Sequence, residues 1–268
     1  MAKEQIGLIA GGGQFPLIAV QEARERGYLV HAIAIENETS KAINKEAQKV
    51  SWIKLGQLSQ LINLLKENDI KKVILAGNVA HRHIFKQEEF DRPLKALLTN
   101  LRDKSGDSIL KSLSNLLEKE GIEVVDSTKL VANWLAPKGV LSQRGPTEKE
   151  FADIRYGYSI ALEIAQLNIG QSVAVKDGAV VAVEAIEGTD EMILRAGKLA
   201  GKGVTIVKVS QPNKDRRFDV PVVGSDSIAT MIEAQALVLA FMAEKTLIFD
   251  REEMIKKADQ GGITIYSF

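Results

Sequence analysis

Cysteine is absent from the 268 residues, which removes disulfide frameworks, thiolate nucleophiles, zinc ribbons and iron–sulfur clusters together. Without a disulfide signature, the expected location is the cytoplasm. A surplus of either charge is also missing: 35 Lys and Arg face 35 Asp and Glu. No global field gathers phosphate backbones, so a nucleic-acid partner is not expected. Aromatic residues make up only 5% of the chain. Ala, Ile, Leu and Val do most of the apolar work, which suits stacked helices and buried parallel strands better than a jelly roll or propeller. Long hydrophobic runs are lacking too. The opening MAKEQIGLIAGGG stops in glycines and is expected to be neither a signal peptide nor a membrane span. The longest apolar region, Ile228 to Phe241, is broken by Glu233 and Gln235 and reads as a core helix. No internal repeat or low-complexity tract occurs.

What is present in the first half is an alternation of strands and helices. Ile6–Ala10 is a short, nearly all-apolar run of the buried-strand kind, and Gln14–Arg26 carries apolar residues at helical spacing before Gly27 ends it. Tyr28–Ile35 and Lys72–Ala76 read as strands around a helix at Gly56–Glu67, whose leucines line one side. Pro93–Leu101 and Asp107–Glu120 read as helices, and Ile122–Val125 as a further strand. Strand–helix–strand in this order implies a Rossmann-like parallel sheet with right-handed crossovers.

Beyond Val131 the punctuation changes. Pro137, Gly139, Gly145 and Pro146 mark residues 133–146 as a linker, which places an N-terminal domain at 1–132 and a C-terminal α/β catalytic domain at 147–268. Thr147 with Glu150 forms a capping box that opens a helix to about Leu167. The Asp177-Gly178 pair between Ser172–Val175 and Ala179–Ala185 is a hairpin signal, so the second sheet is expected to be mixed. Helix Asp190–Leu199, strand Val204–Val209, helix Ser227–Glu244, strand Thr246–Phe249, helix Arg251–Asp259 and strand Ile263–Tyr266 complete it.

Several motifs carry chemistry. Gly11-Gly12-Gly13 and Gln14 sit between a strand and a helix, where backbone can approach a ligand and helix amides form an anion site. A tight turn would need fewer glycines. Glu36, at the end of the second strand, is placed for a ribose hydroxyl, although Pro16 stands where a dinucleotide fingerprint has its third glycine. Gly77-Asn78 ends the strand expected to face the same crevice, followed by His81, Arg82 and His83. Arg82 suits a phosphate clamp, and the histidines read as solvent-exposed side chains. Asp107 after Gly106 reads as an N-cap.

The second half concentrates charge. Glu184, Glu187, Asp190 and Glu191 surround a Gly188-Thr189 turn, which fits either a solvated helix start or a hard cation. Lys208, Lys214, Arg216 and Arg217 then precede Asp219 and Asp226. Cations beside carboxylates and a Gly-containing turn suit phosphoryl chemistry: positive groups neutralise a leaving diphosphate, and a carboxylate places a metal or a nucleophile.

Together GLIAGGGQFP near the start, AGNV at Ala76–Val79, GDS at Gly106–Ser108, VAVEAIEGTDEM at Val181–Met192 and DRRFDVPVVGSDSI at Asp215–Ile228 resemble the UDP-2,3-diacylglucosamine pyrophosphatases of the LpxI type. The resemblance covers essentially the whole chain in motif order. It implies a Mg2+-dependent hydrolase of lipid A biosynthesis that splits UDP-2,3-diacylglucosamine into UMP and 2,3-diacylglucosamine 1-phosphate, lipid X. The family's catalytic aspartate falls on Asp226, which would bind magnesium or orient the attacking water, with Asp219, Asp190 and Glu187 as further metal ligands. Gly11, Gly12, Gly13, Gln14, Gly77, Asn78, Arg82, Asp107, Gly188, Thr189, Lys208 and Arg217 are the expected substrate-binding residues. Three departures stand out: Ser108 replaces a second acid, Ser225 replaces a proline, and His81 and His83 replace an Arg-Pro pattern, leaving Arg82 as the matching charge.

A diacylated substrate implies an apolar groove and transient contact with a membrane surface, at the inner face of the inner membrane, and Ser227–Phe241 is the candidate lining. The number of subunits is left open. Two alternatives remain at this point: a nicotinamide-dependent oxidoreductase resting on Gly11, Gly13 and Glu36, and a non-catalytic UDP-sugar or lipid-binding protein.

Overall fold

Buried aliphatic runs dictate the first sheet. The structure, a computed structural model, describes residues 4–79, 89–101, 103, 105–210, 217 and 220–268, apart from the side chain of Asp107. It is an α/β fold of two units, one reaching to Ala132 and including Arg217, the other starting at Asn133. In the first, strands β1 (Gln5–Ala10), β2 (Leu29–Ile35), β3 (Lys49–Ile53), β4 (Lys72–Ala76) and β5 (Glu123–Val124) pair in the order β3-β2-β1-β4-β5. Every pairing is parallel. Helices α1 (Phe15–Glu25), α3 (Leu58–Glu67), α4 (Arg92–Thr99) and α5 (Gly106–Lys119) cross over between strands, with the short α2 (Ile43–Glu46) ahead of β3. The order reverses between β1 and β4, and in such sheets ligands bind beyond the carboxyl ends of the strands at that point.

The second unit holds a six-stranded mixed sheet in the order β6-β13-β11-β9-β7-β8. Its members are β6 (Gly139–Val140), β7 (Ser172–Lys176), β8 (Ala179–Val183), β9 (Thr205–Lys208), β11 (Val238–Phe241) and β13 (Thr264–Ser267). A two-stranded sheet pairs β10 (Val222–Val223) with β12 (Leu247–Ile248). Alternation along each strand divides the core. Ala174, Ile206, Leu239 and Ile265 face α7 (Thr189–Ala200), α8 (Ser225–Glu233) and α9 (Arg251–Gln260). Val173, Val175, Val207 and Val238 face α6 (Glu148–Gln166) on the other side.

The capping box forms as expected: the Glu150 amide donates to Thr147 Oγ1 at 3.3 Å and the Thr147 amide to Glu150 Oε2 at 2.8 Å. The Asp177-Gly178 turn joins β7 and β8 with both residues at positive φ, 54° and 75°, as a two-residue hairpin requires. Asp153 of α6, 5% exposed, accepts from the Asp177 amide at 3.1 Å and the Gly178 amide at 2.7 Å. Asp153→Ala strands two amides, and is expected to lower the unfolding free energy by about 2 kcal/mol, read as a shift of the urea midpoint at unchanged slope.

Two sequence expectations are corrected, and strands β6 and β3 add to the expected pattern. The helix expected over Ser227–Glu244 is α8 followed by β11, separated by a turn in which Gln235 has φ 55°. The segment Val238–Phe241 is fully buried between β9 and β13 and is sheet core, so Ser227–Phe241 does not form a continuous groove wall. Residues 133–146, expected as a linker, carry β6, which pairs with β13, and Leu135 bridges Leu247. Strand β3 was not expected: Lys49–Ile53 is a half-exposed edge strand without the aliphatic run of its neighbours.

Candidate active site

The carboxyl edge of the second sheet gathers the polar side chains. Lys208 ends β9 beside Ser172, the first residue of β7. The apolar neighbours of the strand leave Lys208 8% exposed, and its Nζ donates to Thr189 Oγ1 at 3.0 Å. Thr189 Oγ1 in turn donates to Glu184 Oε1 at 2.8 Å, and the Gln171 amide donates to Glu184 Oε2 at 3.2 Å. Glu184, just past β8, is 7% exposed. The hydroxyl therefore has its proton committed to the carboxylate and a lone pair committed to the ammonium, which fixes Lys208 in place.

Helix α7 begins within this chain of bonds, at Thr189, and a second helix, α8, brings another first-turn acid. Helix α7 follows Gly188, and α8 follows Gly224; neither N-cap residue supplies a side-chain hydrogen bond. Asp190 and Asp226 each occupy the first turn, where the helix amino end favours negative charge. Asp190 keeps a solvent-facing side, yet partial desolvation raises its carboxyl above the usual range; Lys208 opposes the shift, while Asp226, Glu184 and Glu191 add to it. Asp190, Asp226 and Lys208 thus share one electrostatic neighbourhood with an excess of negative charge.

The remaining expected residues separate from that cluster or adjoin it. Glu187 is engaged elsewhere: its Oε1 pairs with Arg195 at 2.5 Å and its Oε2 accepts from the Ala185 amide at 3.2 Å. Desolvation pushes its carboxyl up, but its own amide and Arg195 outweigh that and hold it below the usual range. Gly188 gives α7 its start at φ 87°. Arg217 pairs with Glu118 of α5 at 2.6 Å within the first unit. His81, Arg82, His83, Lys214, Arg216 and Asp219 lie outside the described residues.

In the first unit the glycine loops meet each other. The Gly12 amide donates to Asn78 O at 2.7 Å, and the Asn78 amide returns a bond to Gly12 O at 3.2 Å. A Cβ on Gly11 would lie 2.5 Å from Asn78 O, and one on Gly77 would collide with Gly12 O at a φ of 90°. Close approach of two backbones therefore accounts for Gly11 and Gly77 independently of any ligand. Gln14 is the N-cap residue of α1, with Pro16 in the first turn. Asp107 is not an N-cap. That position belongs to Ser105, whose Oγ accepts from the Ser108 amide at 3.3 Å, and Asp107 lies in the first turn of α5. Ser108 Oγ donates to Asp103 at 2.8 Å. The hydroxyls of Ser105 and Ser108, with the Ser105 amide, hold the Asp103 carboxyl below its usual range. A second acid at 108 would face that carboxylate, a physical reason for serine.

In the sequence Glu184 is one of several local carboxylates and Gln171 carries no motif, so neither stands out by pattern. The available signal was Glu184 ending an otherwise apolar strand, the same context that marked Lys208. Among the described residues no group of three or more Asp, Glu or His converges to hold a metal ion. The donors Asp190 and Asp226 are nevertheless hard oxygens in a field short of positive charge. Magnesium is commonly held by one or two carboxylates with substrate phosphates completing its shell, so this pair fits it.

Residues 5–134 match the LpxI N-terminal domain and residues 137–266 the LpxI C-terminal domain. UDP-2,3-diacylglucosamine pyrophosphatase LpxI of Caulobacter vibrioides is 27% identical over 271 residues, covering 97% of this chain and 96% of that protein. Among solved structures, phosphoribosylglycinamide synthetase from Anaerococcus prevotii is 15% identical over 65% of this chain and 31% of its own, with a TM-score of 0.28. An ADP complex of N5-carboxyaminoimidazole ribonucleotide synthetase is 16% identical over 77% of this chain and 46% of its own, at 0.30. The chain spans less than half the length of either synthetase, and likeness at these scores carries no argument.

Proposed function

The chain belongs to the LpxI family, and on that premise we propose that it cleaves UDP-2,3-diacylglucosamine with water and Mg2+ into UMP and 2,3-diacylglucosamine 1-phosphate, a step of lipid A biosynthesis. That it is an enzyme hydrolysing a diphosphate follows from the family. The finer reading is supported above all by one observation: the buried ammonium of Lys208 is held by the Thr189–Glu184 hydrogen-bond chain at the amino end of α7, whose first turn carries Asp190.

A diphosphate ester resists hydrolysis because its negative charge repels the nucleophile, so catalysis depends on positioning and on positive charge fixed beforehand. Lys208, anchored by Thr189 and Glu184, supplies such a charge to a phosphoryl oxygen without having to be immobilised during the reaction. Asp226 and Asp190, with Asp219 as expected from the acid–base pattern of the sequence, would hold magnesium. When bound, the ion neutralises phosphoryl oxygens and polarises the phosphorus for attack. Asp226 has a second carboxylate oxygen with which to accept a hydrogen bond from the attacking water and take the proton it sheds. The water oxygen bonds to one phosphorus as the bridging P–O bond breaks, leaving one phosphate on each product. Gly188 and Thr189 offer the amino end of α7 to the diphosphate.

The nicotinamide alternative loses its main support, because the glycine run is used in the Gly12–Asn78 backbone pairing. Among the described residues no helix is long and apolar enough to cross a membrane, and we propose that access to the acylated substrate is by transient contact at the inner face of the inner membrane. Incubation of the protein with UDP-2,3-diacylglucosamine and Mg2+ is expected to release UMP and lipid X in equal amounts, detected by mass, and EDTA is expected to stop it. Absence of UMP over hours at micromolar protein would overturn the reading, and binding without cleavage would identify a non-catalytic carrier.

A further inference from the structure

Two opposite charges are buried at the carboxyl edge of the second sheet without touching. Glu184 and Lys208 meet only through the hydroxyl of Thr189, with a bond of 2.8 Å on one side and 3.0 Å on the other. Direct contact is the ordinary arrangement for buried opposite charges, since each then offsets part of the other's loss of water. Here a third side chain stands between them.

The fold fixes that separation from both sides. Thr189 is the first residue of α7, set by Gly188 at φ 87°, and its β-branch limits the directions in which the hydroxyl can point. Ser172 Oγ, fully buried at the start of β7, lies 3.5 Å from the same hydroxyl. Glu184 is fixed by the loop ahead of β7. The Gln171 amide donates to its Oε2, and a Cβ on Gly170 would lie 2.1 Å from its backbone carbonyl oxygen, so only glycine lets that loop approach.

The consequence lies in what the ammonium can still do. It has three N–H groups, and Thr189 takes one. In direct contact with Glu184 the charge would be neutralised on the spot, and a phosphoryl oxygen would have to displace a carboxylate to reach it. Across the hydroxyl, Glu184 still offsets the burial of the cation while the remaining N–H groups can meet a phosphoryl oxygen. We propose that Thr189 is a spacer and Glu184 a remote counter-charge, both positioning residues that hold Lys208 ready for the diphosphate. The Thr189 side chain then serves Lys208, and its backbone amide is left for the substrate. The part in turnover rests on the diphosphatase reading; the separation of the charges rests on the hydrogen bonds alone.

The test is a set of full-chain variants, checked for folding by circular dichroism and urea titration. Thr189→Ala removes the hydroxyl and makes room for Lys208 to fall onto Glu184, at a half-buried helix start where alanine is well tolerated. UMP release is expected to drop by about 10²-fold, mainly in kcat. Thr189→Ser, which keeps the hydroxyl, is expected to regain most of that loss. The decisive variant is Thr189→Ala/Glu184→Gln. With no carboxylate to capture the ammonium, its turnover is expected to lie at least about fivefold above that of Thr189→Ala. A merely structural Thr189 makes the double variant slower than the single one. A crystal structure of Thr189→Ala is expected to show Lys208 Nζ against the Glu184 carboxylate, and Nζ left in place overturns the proposal whatever the turnover. Near-parent turnover in Thr189→Ala, or a double variant no faster than it, also overturns the proposal and leaves the hydrolase standing. A parent that releases no UMP sinks the hydrolase, and Nζ found on Glu184 in the Thr189→Ala structure then sustains the spacer alone.

Discussion

Asp226→Ala is expected to lower UMP release by about 10³-fold or more while leaving the protein folded. Asp226 is exposed in the first turn of α8, so its truncation opens no core cavity. Two small electrostatic effects oppose each other in the folded state. The helix amino end loses a favourable acid, worth about 0.3–1 kcal/mol, and Asp190 loses a repulsive neighbour. The net change in unfolding free energy is therefore expected to stay within about 0.5 kcal/mol. Turnover has no such compensation, because the water loses its acceptor and magnesium one of its proposed ligands. Asp226→Asn keeps the size of the side chain and removes the charge; it should fall nearly as far, which assigns the effect to the carboxylate. The measurement is kcat with saturating substrate and Mg2+, beside a urea titration of each variant. Near-normal turnover in either would take Asp226 out of the mechanism.

Much of the frame could be read from local pattern because local forces build it. The Thr147–Glu150 box and the Asp177-Gly178 turn are satisfied by neighbours in sequence, and the sequence shows both partners. The failures share the opposite property. Gln235 takes a left-handed conformation without being glycine, under the pull of a strand pairing with two others on either side, so α8 and β11 look like one helix on paper. Strand β3 owes its place to pairing with β2, and its own residues alternate too weakly to announce it.

The candidate site divides in the same way. Lys208 and Glu184 each close an apolar strand, and a charge in that position is visible in the sequence. That they are joined through Thr189 is not, since the three come from different elements. Glu187 stands among the acids in the sequence, yet Arg195 of the following helix, α7, draws it away. The glycine run signals a tight passage of backbone correctly, but only the fold reveals that Gly77-Asn78 is what passes.

Lys208→Met should separate what the ammonium does for chemistry from what it does for the fold. Turnover is expected to drop by about 10²–10³-fold, the scale for removing one preorganised charge from a phosphoryl oxygen. Stability should fall as well, in a way that depends on pH. The raised carboxyl of Asp190 means that the folded state binds that proton more tightly than the unfolded chain, so stability declines as pH rises through the raised value. Lys208 is the neighbour that limits the shift, and its loss drives Asp190 further up and widens the window. In EDTA, to keep divalent ions out, the deficit of Lys208→Met should be small at the acid end, grow through the carboxylate range and level off by neutral pH. Lys208→Arg keeps the positive charge but replaces a compact ammonium by a planar fork, which does not fit one donor position beneath Thr189. Its stability should therefore follow the parent's pH dependence more closely than Met does, while its turnover stays at least about tenfold down. Recovery of full turnover in the Arg variant would show that charge alone suffices, and that the Thr189–Glu184 anchor contributes nothing to catalysis.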